Sequence, residues 1–195
     1  MRFDPYKGIA LLELHLERIK ASATELGFAF DRHSARNGIQ ALCFELEAPA
    51  KVRLLLARSG ATALEAQALG EIPESTTCIA LPLPVDPADS RLAHKTSDRW
   101  FYDAGDEAAR DEGADTAVFV RDDGLVTEAM RASVFVERKG VLLTPPAALG
   151  LLPGVLRRSL LDSGAAREAE LTLGDLAGGF LLGNAVRGLI PARLV

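Results

Sequence analysis

The sequence predicts a mixed α/β fold in two parts, a helix-led α+β first part and a strand-rich second part. Three observations lead there. Leu12, Leu16, Ile19, Ala23 and Leu26 recur at the three- and four-residue steps of one buried helix face. Beyond Lys95 the pattern changes to short apolar runs parted by Asp-Gly and Lys-Gly turn signals. Between the two regions Pro82, Pro84 and Pro87, with Asp86 and Asp89, form the best linker.

In chain order, the first helix ends at Gly27, where a helix of that register stops. Leu11, His15, Arg18 and Ser22 make a second stripe beside its apolar face. A further helix is predicted over Asp31–Leu46, and a strand over Lys51–Ala57 that ends at Ser59-Gly60. Ile79–Leu81 is a short strand halted by the prolines. After the lysine stretch, Asp103–Gly113 is predicted helical and acidic. Thr116–Val120 and Leu125–Glu128 are strands about the Asp122-Asp123-Gly124 turn. Val134–Val136 and Val141–Leu143 form a second hairpin about Lys139-Gly140, ended by Pro145-Pro146. Leu152-Pro153-Gly154 precedes a helix over Val155–Leu161, with Gly164 as its stop. Phe180–Leu182 is a last strand leading into Gly183-Asn184.

Bulk properties narrow the function classes. The 195 residues suffice for one large domain or two small ones. A net charge of −5 without a basic block argues against nucleic acid. No apolar run reaches membrane-spanning length, and Met1–Pro5 lacks the apolar core of a secretory signal. Cys43 and Cys78 are isolated, which fits core thiols in a reducing cytoplasm. His15, His33 and His94 are far apart and show no metal-ligand spacing, so no metal is expected. There is no Gly-x-Ser-x-Gly elbow and no P-loop.

Candidate chemistry centres on His94–Tyr102, which holds one of only five lysines, Lys95, among two cations and three aromatics. A nucleophilic lysine needs its ammonium destabilised, by neighbouring cations or by partial desolvation. The stretch is also compatible with a basic-aromatic loop carrying a solvated lysine. Glu128, at a strand end in an apolar sheet, is either a surface carboxylate or a partner for a heterocyclic nitrogen. The Pro153-Gly154 turn opens a helix whose free amides could hold a phosphate. Gly183-Asn184 follows a buried strand, a place where ligands meet backbone. Arg18 is a surface arginine with a packed stem or an anion contact from a helix flank. Together, a lysine amine, a carboxylate and a phosphate cradle are what pyridoxal 5′-phosphate requires.

The order and wording of these segments resemble the fold-type IV pyridoxal-phosphate enzymes, the class IV aminotransferase group. His15-Leu16-Glu17-Arg18 with Ala21-Ser22-Ala23 is similar to the family's first-helix motif, whose arginine contacts the cofactor phosphate. His94-Lys95-Thr96 is similar to the segment with the Schiff-base lysine. Asp123–Glu128 followed by Ser133-Val134-Phe135 resembles the run whose glutamate pairs with the pyridine nitrogen. Leu143–Pro146 and Leu152–Arg157 resemble the Thr-Pro-Pro and phosphate-binding motifs. Gly183–Pro191 resembles the ending of 4-amino-4-deoxychorismate lyases more than that of the aminotransferases.

The resemblance implies a D-amino-acid aminotransferase-like fold. It comprises a small α+β domain over residues 1–84, shortened and lacking the usual first strand, and a larger, barrel-like α/β cofactor-binding domain over 85–195. It implies pyridoxal 5′-phosphate as cofactor and Lys95 as the catalytic residue. Arg18, Lys95, Glu128, Val155, Leu156 and Asn184 would bind the cofactor, and Arg99 and Arg187 the carboxylates of a small-molecule substrate. For Arg99 an ion pair with Asp98 or Asp103 is an equal alternative. The implied activity is a cytoplasmic 4-amino-4-deoxychorismate lyase releasing pyruvate and 4-aminobenzoate for folate synthesis. A class IV aminotransferase and a truncated, non-catalytic homologue are the alternatives. A homodimer, and an aminodeoxychorismate synthase as partner, are implied likewise. Three positions depart from the pattern. Trp100 stands where branched-chain aminotransferases have a tyrosine, and that role is not transferred to Tyr102. Ser133-Val134 stand where asparagine is common, and Leu156 replaces a frequent threonine.

Overall fold

The computed structural model describes all 195 residues and divides into two compact units, Met1–Ile72 and Pro73–Val195. The first unit holds strands β1 (Arg2–Asp4) and β2 (Gly8–Ile9), helices α1 (Leu12–Leu26) and α2 (Arg32–Glu45), and strands β3 (Ala50–Leu56) and β4 (Thr62–Ala68). The strands form one antiparallel sheet in the order β2-β1-β3-β4. Two short strands thus precede α1 where the sequence predicts none. Leu16 and Ala23 are buried on α1 at the expected spacing, and Gly27 closes the helix at φ 70°. Asp31 caps α2 by accepting from the His33 and Ser34 amides. Leu16, Ala35 and Ile39 are fully buried between the helices and the sheet residues Leu54 and Leu64.

The second unit begins with β5 (Thr76–Pro82), followed by α3 (Ser90–Ala93), α4 (Trp100–Asp111), β6 (Thr116–Val120), β7 (Val126–Ala129), β8 (Ala132–Arg138) and β9 (Val141–Thr144). Then come α5 (Val155–Asp162), β10 (Ala166–Glu168), α6 (Leu173–Leu176), β11 (Phe180–Asn184) and β12 (Gly188–Leu194). The strand order is β10-β9-β8-β11-β12-β5-β6-β7, and β7 also pairs with β8. Six strands therefore close into a barrel, with β9 and β10 continuing from β8. Cys78, Val118, Val126, Val134, Leu182 and Ala192 pack together as its filled interior. On the outer face α4 lays Phe101, Tyr102 and Ala109 against Ala117 and Phe119 of β6.

The domain boundary differs from the expected one after Pro84. β5 pairs with β6 through Pro82↔Val120, and the Leu83 amide donates to the Val120 carbonyl, so the proline-rich piece belongs to the barrel. No helix is long and apolar enough to cross a membrane.

Candidate active site

The outer face of the barrel carries a row of three residues joined by strand register. Glu128 of β7 lies opposite Ser133 of β8, and Ser133 lies opposite Gly183 of β11. Directly opposed residues project to the same face, with about 5 Å between strands. Glu128 and Gly183 are thus about 10 Å apart at the ends of the row.

The segment leading into α5 follows this row. The Leu152 amide donates to Glu128 Oε1 at 3.1 Å. Gly154 sits over Ser133, where a Cβ would come 2.8 Å from the Ser133 hydroxyl oxygen. Leu156 reaches Gly183, where a Cβ would meet Phe135, Leu189 and Leu156 at 2.7, 2.8 and 3.2 Å. Only glycine leaves the space above both positions. Gly154 is the N-cap of α5 and offers no side chain, so the first-turn amides of Val155 and Leu156 have no intrahelical acceptor and point outward. Arg157 fixes this helix start from beneath. Its buried guanidinium donates to the Pro145 carbonyl at 2.7 Å and to Glu168 Oε1 at 2.5 Å.

Glu128 is 4% exposed. Its Oε1 accepts from the Tyr102 hydroxyl at 2.5 Å as well as from the Leu152 amide. Burial pushes its carboxyl from 4.5 up to about 7, against the opposing pull of those two donors and of the Lys95 and Arg99 charges. Burial and the neighbouring Glu128 likewise raise the Tyr102 phenol, which stays protonated as the donor.

Lys95 lies on the segment between α3 and α4 and is exposed. It shares a small, narrow cleft with His94, Arg99, Tyr102, Glu128 and Leu152. Trp100 is 56% exposed, whereas Phe101 and Tyr102 are buried. Of the three aromatics expected to form an apolar wall, Tyr102 lines the cleft, whereas Phe101 packs into the core against the barrel. Arg99 faces the same cleft while tied to its own surroundings. It donates to the Met130 carbonyl at 3.3 Å, pairs with Asp103 at 3.4 Å and stacks 4.9 Å from the Tyr102 ring centroid.

Within the second unit, Asn184 and Arg187 do not line this cleft. Asn184 ends β11, and its Oδ1 accepts from the Val186 and Arg187 amides at 3.0 and 2.9 Å while its Nδ2 donates to the Arg131 carbonyl at 3.2 Å. Its side chain thus shapes the β11–β12 turn. With Arg187 it lines a second cleft, at the end of the barrel beside Asp106 and Arg131. Arg18 belongs to α1 in the first unit, is half-buried, and is held by burial below the ordinary arginine pKa. Sequence reasoning assigned no site role to Ser133, Arg157 or the Tyr102 hydroxyl, and marked Gly183 only as a place where a ligand meets backbone. For Tyr102 a signal was present: it belongs to the spacing Phe101, Tyr102, Gly105, Ala109 of a buried face, and a buried tyrosine hydroxyl needs a partner.

A buried carboxyl at one end of the row, outward amides toward the other, Gly154 over its middle, Gly183 at its far end and a lysine in the cleft of the carboxyl fit pyridoxal phosphate. Its basic ring nitrogen, its phosphate and its aldehyde each meet the appropriate group type.

Comparison with known proteins agrees. The amino-transferase class IV family model matches residues 1–195. A solved structure titled "Putative amino-acid aminotransferase", from Mesorhizobium loti, is 34% identical, with a TM-score of 0.92 over 100% of this chain and 97% of that one. A Schizosaccharomyces pombe protein named "Putative aminodeoxychorismate lyase" is 27% identical over 170 residues, 85% of this chain and 74% of its own length. A Legionella pneumophila structure titled "Putative 4-amino-4-deoxychorismate lyase" shares the fold at 22% identity and a TM-score of 0.84, over 99% of this chain and 80% of that one. The chain belongs to the amino-transferase class IV family of fold-type IV enzymes, whose cofactor is pyridoxal 5′-phosphate.

Proposed function

We propose that the chain is a 4-amino-4-deoxychorismate lyase, releasing pyruvate and 4-aminobenzoate. The observation that carries this reading is the Gly183–Pro191 run, which resembles the lyase ending and here forms the β11–β12 hairpin, adjoining the cofactor row at Gly183. The lyase name of the Schizosaccharomyces pombe relative supports it.

Pyridoxal phosphate, when bound, would supply an aldehyde that holds the substrate amine reversibly, to be taken back by the Lys95 amine when 4-aminobenzoate leaves, and a protonated ring that accepts electrons from the adjoining carbon. Glu128 holds the proton on the ring nitrogen. The amides of Val155 and Leu156 receive the phosphate, joined on motif grounds by Arg18 and Asn184. Lys95 takes the proton from the amine-bearing ring carbon of the substrate. The electron pair released there expels the enolpyruvyl oxygen from the neighbouring carbon, and the ring becomes aromatic. Lys95, now an ammonium, returns the proton to the departing enolpyruvate, which tautomerises to pyruvate. Arg99 is the guanidinium proposed for a substrate carboxylate, because it shares the Lys95 cleft. Arg187 is proposed for the same purpose on its motif. The family builds its sites near a dimer interface, so a homodimer is part of the proposal; a synthase partner is proposed because the His94-Lys95-Thr96 wording resembles lyase domains fused behind aminodeoxychorismate synthase.

The full-length likeness to the Mesorhizobium loti protein favours a second reading, an amino-acid aminotransferase. One assay separates them. Purified protein with cofactor is given aminodeoxychorismate, and in parallel amino donors with 2-oxoglutarate. The lyase reading expects 4-aminobenzoate and pyruvate in equal amounts and no 2-oxoglutarate consumption; the reverse pattern overturns it. In either case Lys95→Ala is expected to lose the yellow absorption band that added cofactor gives the wild-type protein, and at least a thousandfold in turnover.

A further inference from the structure

We propose that Tyr102 is a positioning residue for Glu128: its hydroxyl, acting with the Leu152 amide, holds the buried carboxylate oriented and ionised toward the ring nitrogen of the cofactor. The inference rests on the reading of Glu128 as the partner of that nitrogen.

The geometry leaves Tyr102 little choice. α4 approaches the barrel so closely that a Cβ on Gly105 would come 2.4 Å from Met130 Sδ. The Tyr102 ring lies 4.4 Å from the Phe101 ring and 5.9 Å from the Phe119 ring, with the Arg99 guanidinium 4.9 Å away. Arg99 is itself anchored to the Met130 carbonyl. A ring fixed on several sides aims its hydroxyl in one direction, and in that direction lies Glu128 Oε1 at 2.5 Å, the length of a charge-assisted bond.

The chemistry needs this bond. A carboxyl buried this deeply favours its neutral form, which would offer a proton to the ring nitrogen instead of accepting one. An ionised carboxylate keeps the proton on nitrogen, where it makes the ring an electron acceptor. The groups facing Glu128 are Tyr102 from α4, Arg99 from its N-cap, Lys95 from the preceding segment, the Leu152 amide, and neutral Ser133 across the strand. His94, Arg91 and Asp98 line the same cleft. Tyr102 and the Leu152 amide both donate to Oε1, and of these two only Tyr102 can be altered by side-chain substitution.

The test is carboxyl-carbon NMR of glutamate-labelled, cofactor-free protein, with Glu128 assigned by its loss in Glu128→Gln. Tyr102→Phe is expected to move the Glu128 titration upward by about one pH unit or more. Global incorporation of 3-fluorotyrosine should move it the other way, since the fluorophenol is the stronger donor. The chain has two tyrosines and Tyr6 is 97% exposed, so a buried effect belongs to Tyr102. This arm decides the matter if Tyr102→Phe does not fold. Cofactor affinity, followed through the fluorescence of the single tryptophan, Trp100, is expected to fall severalfold in Tyr102→Phe near pH 7. A Glu128 titration unmoved by either change overturns the inference. If instead Glu128→Gln leaves the affinity and visible band of the cofactor unchanged, the role of Glu128 fails while the hydrogen-bond result stands by itself.

Discussion

At Glu128 two requirements conflict: the role proposed for it beside the cofactor needs an ionised carboxylate, and the barrel wall denies it water. Its carboxyl stands at about 7 rather than 4.5, so the folded chain holds a proton there that the unfolded chain releases. The sign follows directly. Stability falls as pH rises from about 4.5 to about 7 and changes no further, on account of this group, above that. The difference corresponds to roughly 3 kcal/mol. Glu128→Gln is therefore expected to stabilise the cofactor-free protein by up to roughly 3 kcal/mol at pH 8 and by almost nothing at pH 4.5. Urea unfolding at the two pH values measures it, and equal effects at both would contradict the burial argument. Lys95 and Glu128, which line one cleft, stand out in the sequence because each sits in a local motif of distinct wording. The Tyr102–Glu128 bond does not, because it spans 26 residues and the predicted helix began at Asp103, one residue too late to include the tyrosine.

The element that matters most to the site is α5, whose first turn is useful only while its place over Ser133 and Gly183 is fixed. Two arginines of this helix allow a comparison. Arg157 is buried and bonded to Pro145 and Glu168, whereas Arg158 pairs with Asp162 at the surface with both side chains about half exposed. Losing a buried charged donor costs about 2 kcal/mol or more; an exposed pair is worth at most about 1 kcal/mol. Arg157→Met is thus expected to weaken cofactor binding markedly, and Arg158→Met to leave it within about twofold. A fluorescence titration of both variants settles it, and equal losses would detach the helix anchor from the cradle. Strands were read with uneven success for local reasons. Thr116–Val120 was found because β-branched and aromatic residues fill it. β4 escaped because its alanines, Glu65 and Gln67 are poor strand formers, and only its pairing with β3 makes it a strand. β12 escaped because Pro191 marks a strand break. The structure tolerates it because the β5 pairing begins one residue later, at Ala192.

Closure of the barrel is a property of the whole chain that no local pattern announces: it needs β12 to pair in parallel with β5, more than a hundred residues earlier. The same long-range pairing decides where the protein divides. Composition favours Pro82–Asp89, since prolines and aspartates commonly mark linkers. Yet β5 runs through Pro82, the Leu83 amide is bonded to Val120, and Gly150 fits against Pro87 with no room for a Cβ, which would come 2.4 Å from the Pro87 carbonyl oxygen. Residues 70–75 behave differently: they are exposed, outside any strand or helix, and span the boundary between the two units. Proteases need a stretch of backbone they can draw out of the fold, which an unbonded segment provides and a packed one does not. A glutamate-specific protease is therefore expected to cut first after Glu71 or Glu74, giving fragments of about 8 and 13 kDa at the usual residue mass. An aspartate-specific protease should cut at Asp86 and Asp89 at least tenfold more slowly, because those bonds open only when part of the barrel does. Mass spectrometry of early digestion products reads both rates. Early cleavage at Asp86 or Asp89 would return the boundary to the prolines and remove β5 from the stable unit that carries Lys95 and Glu128.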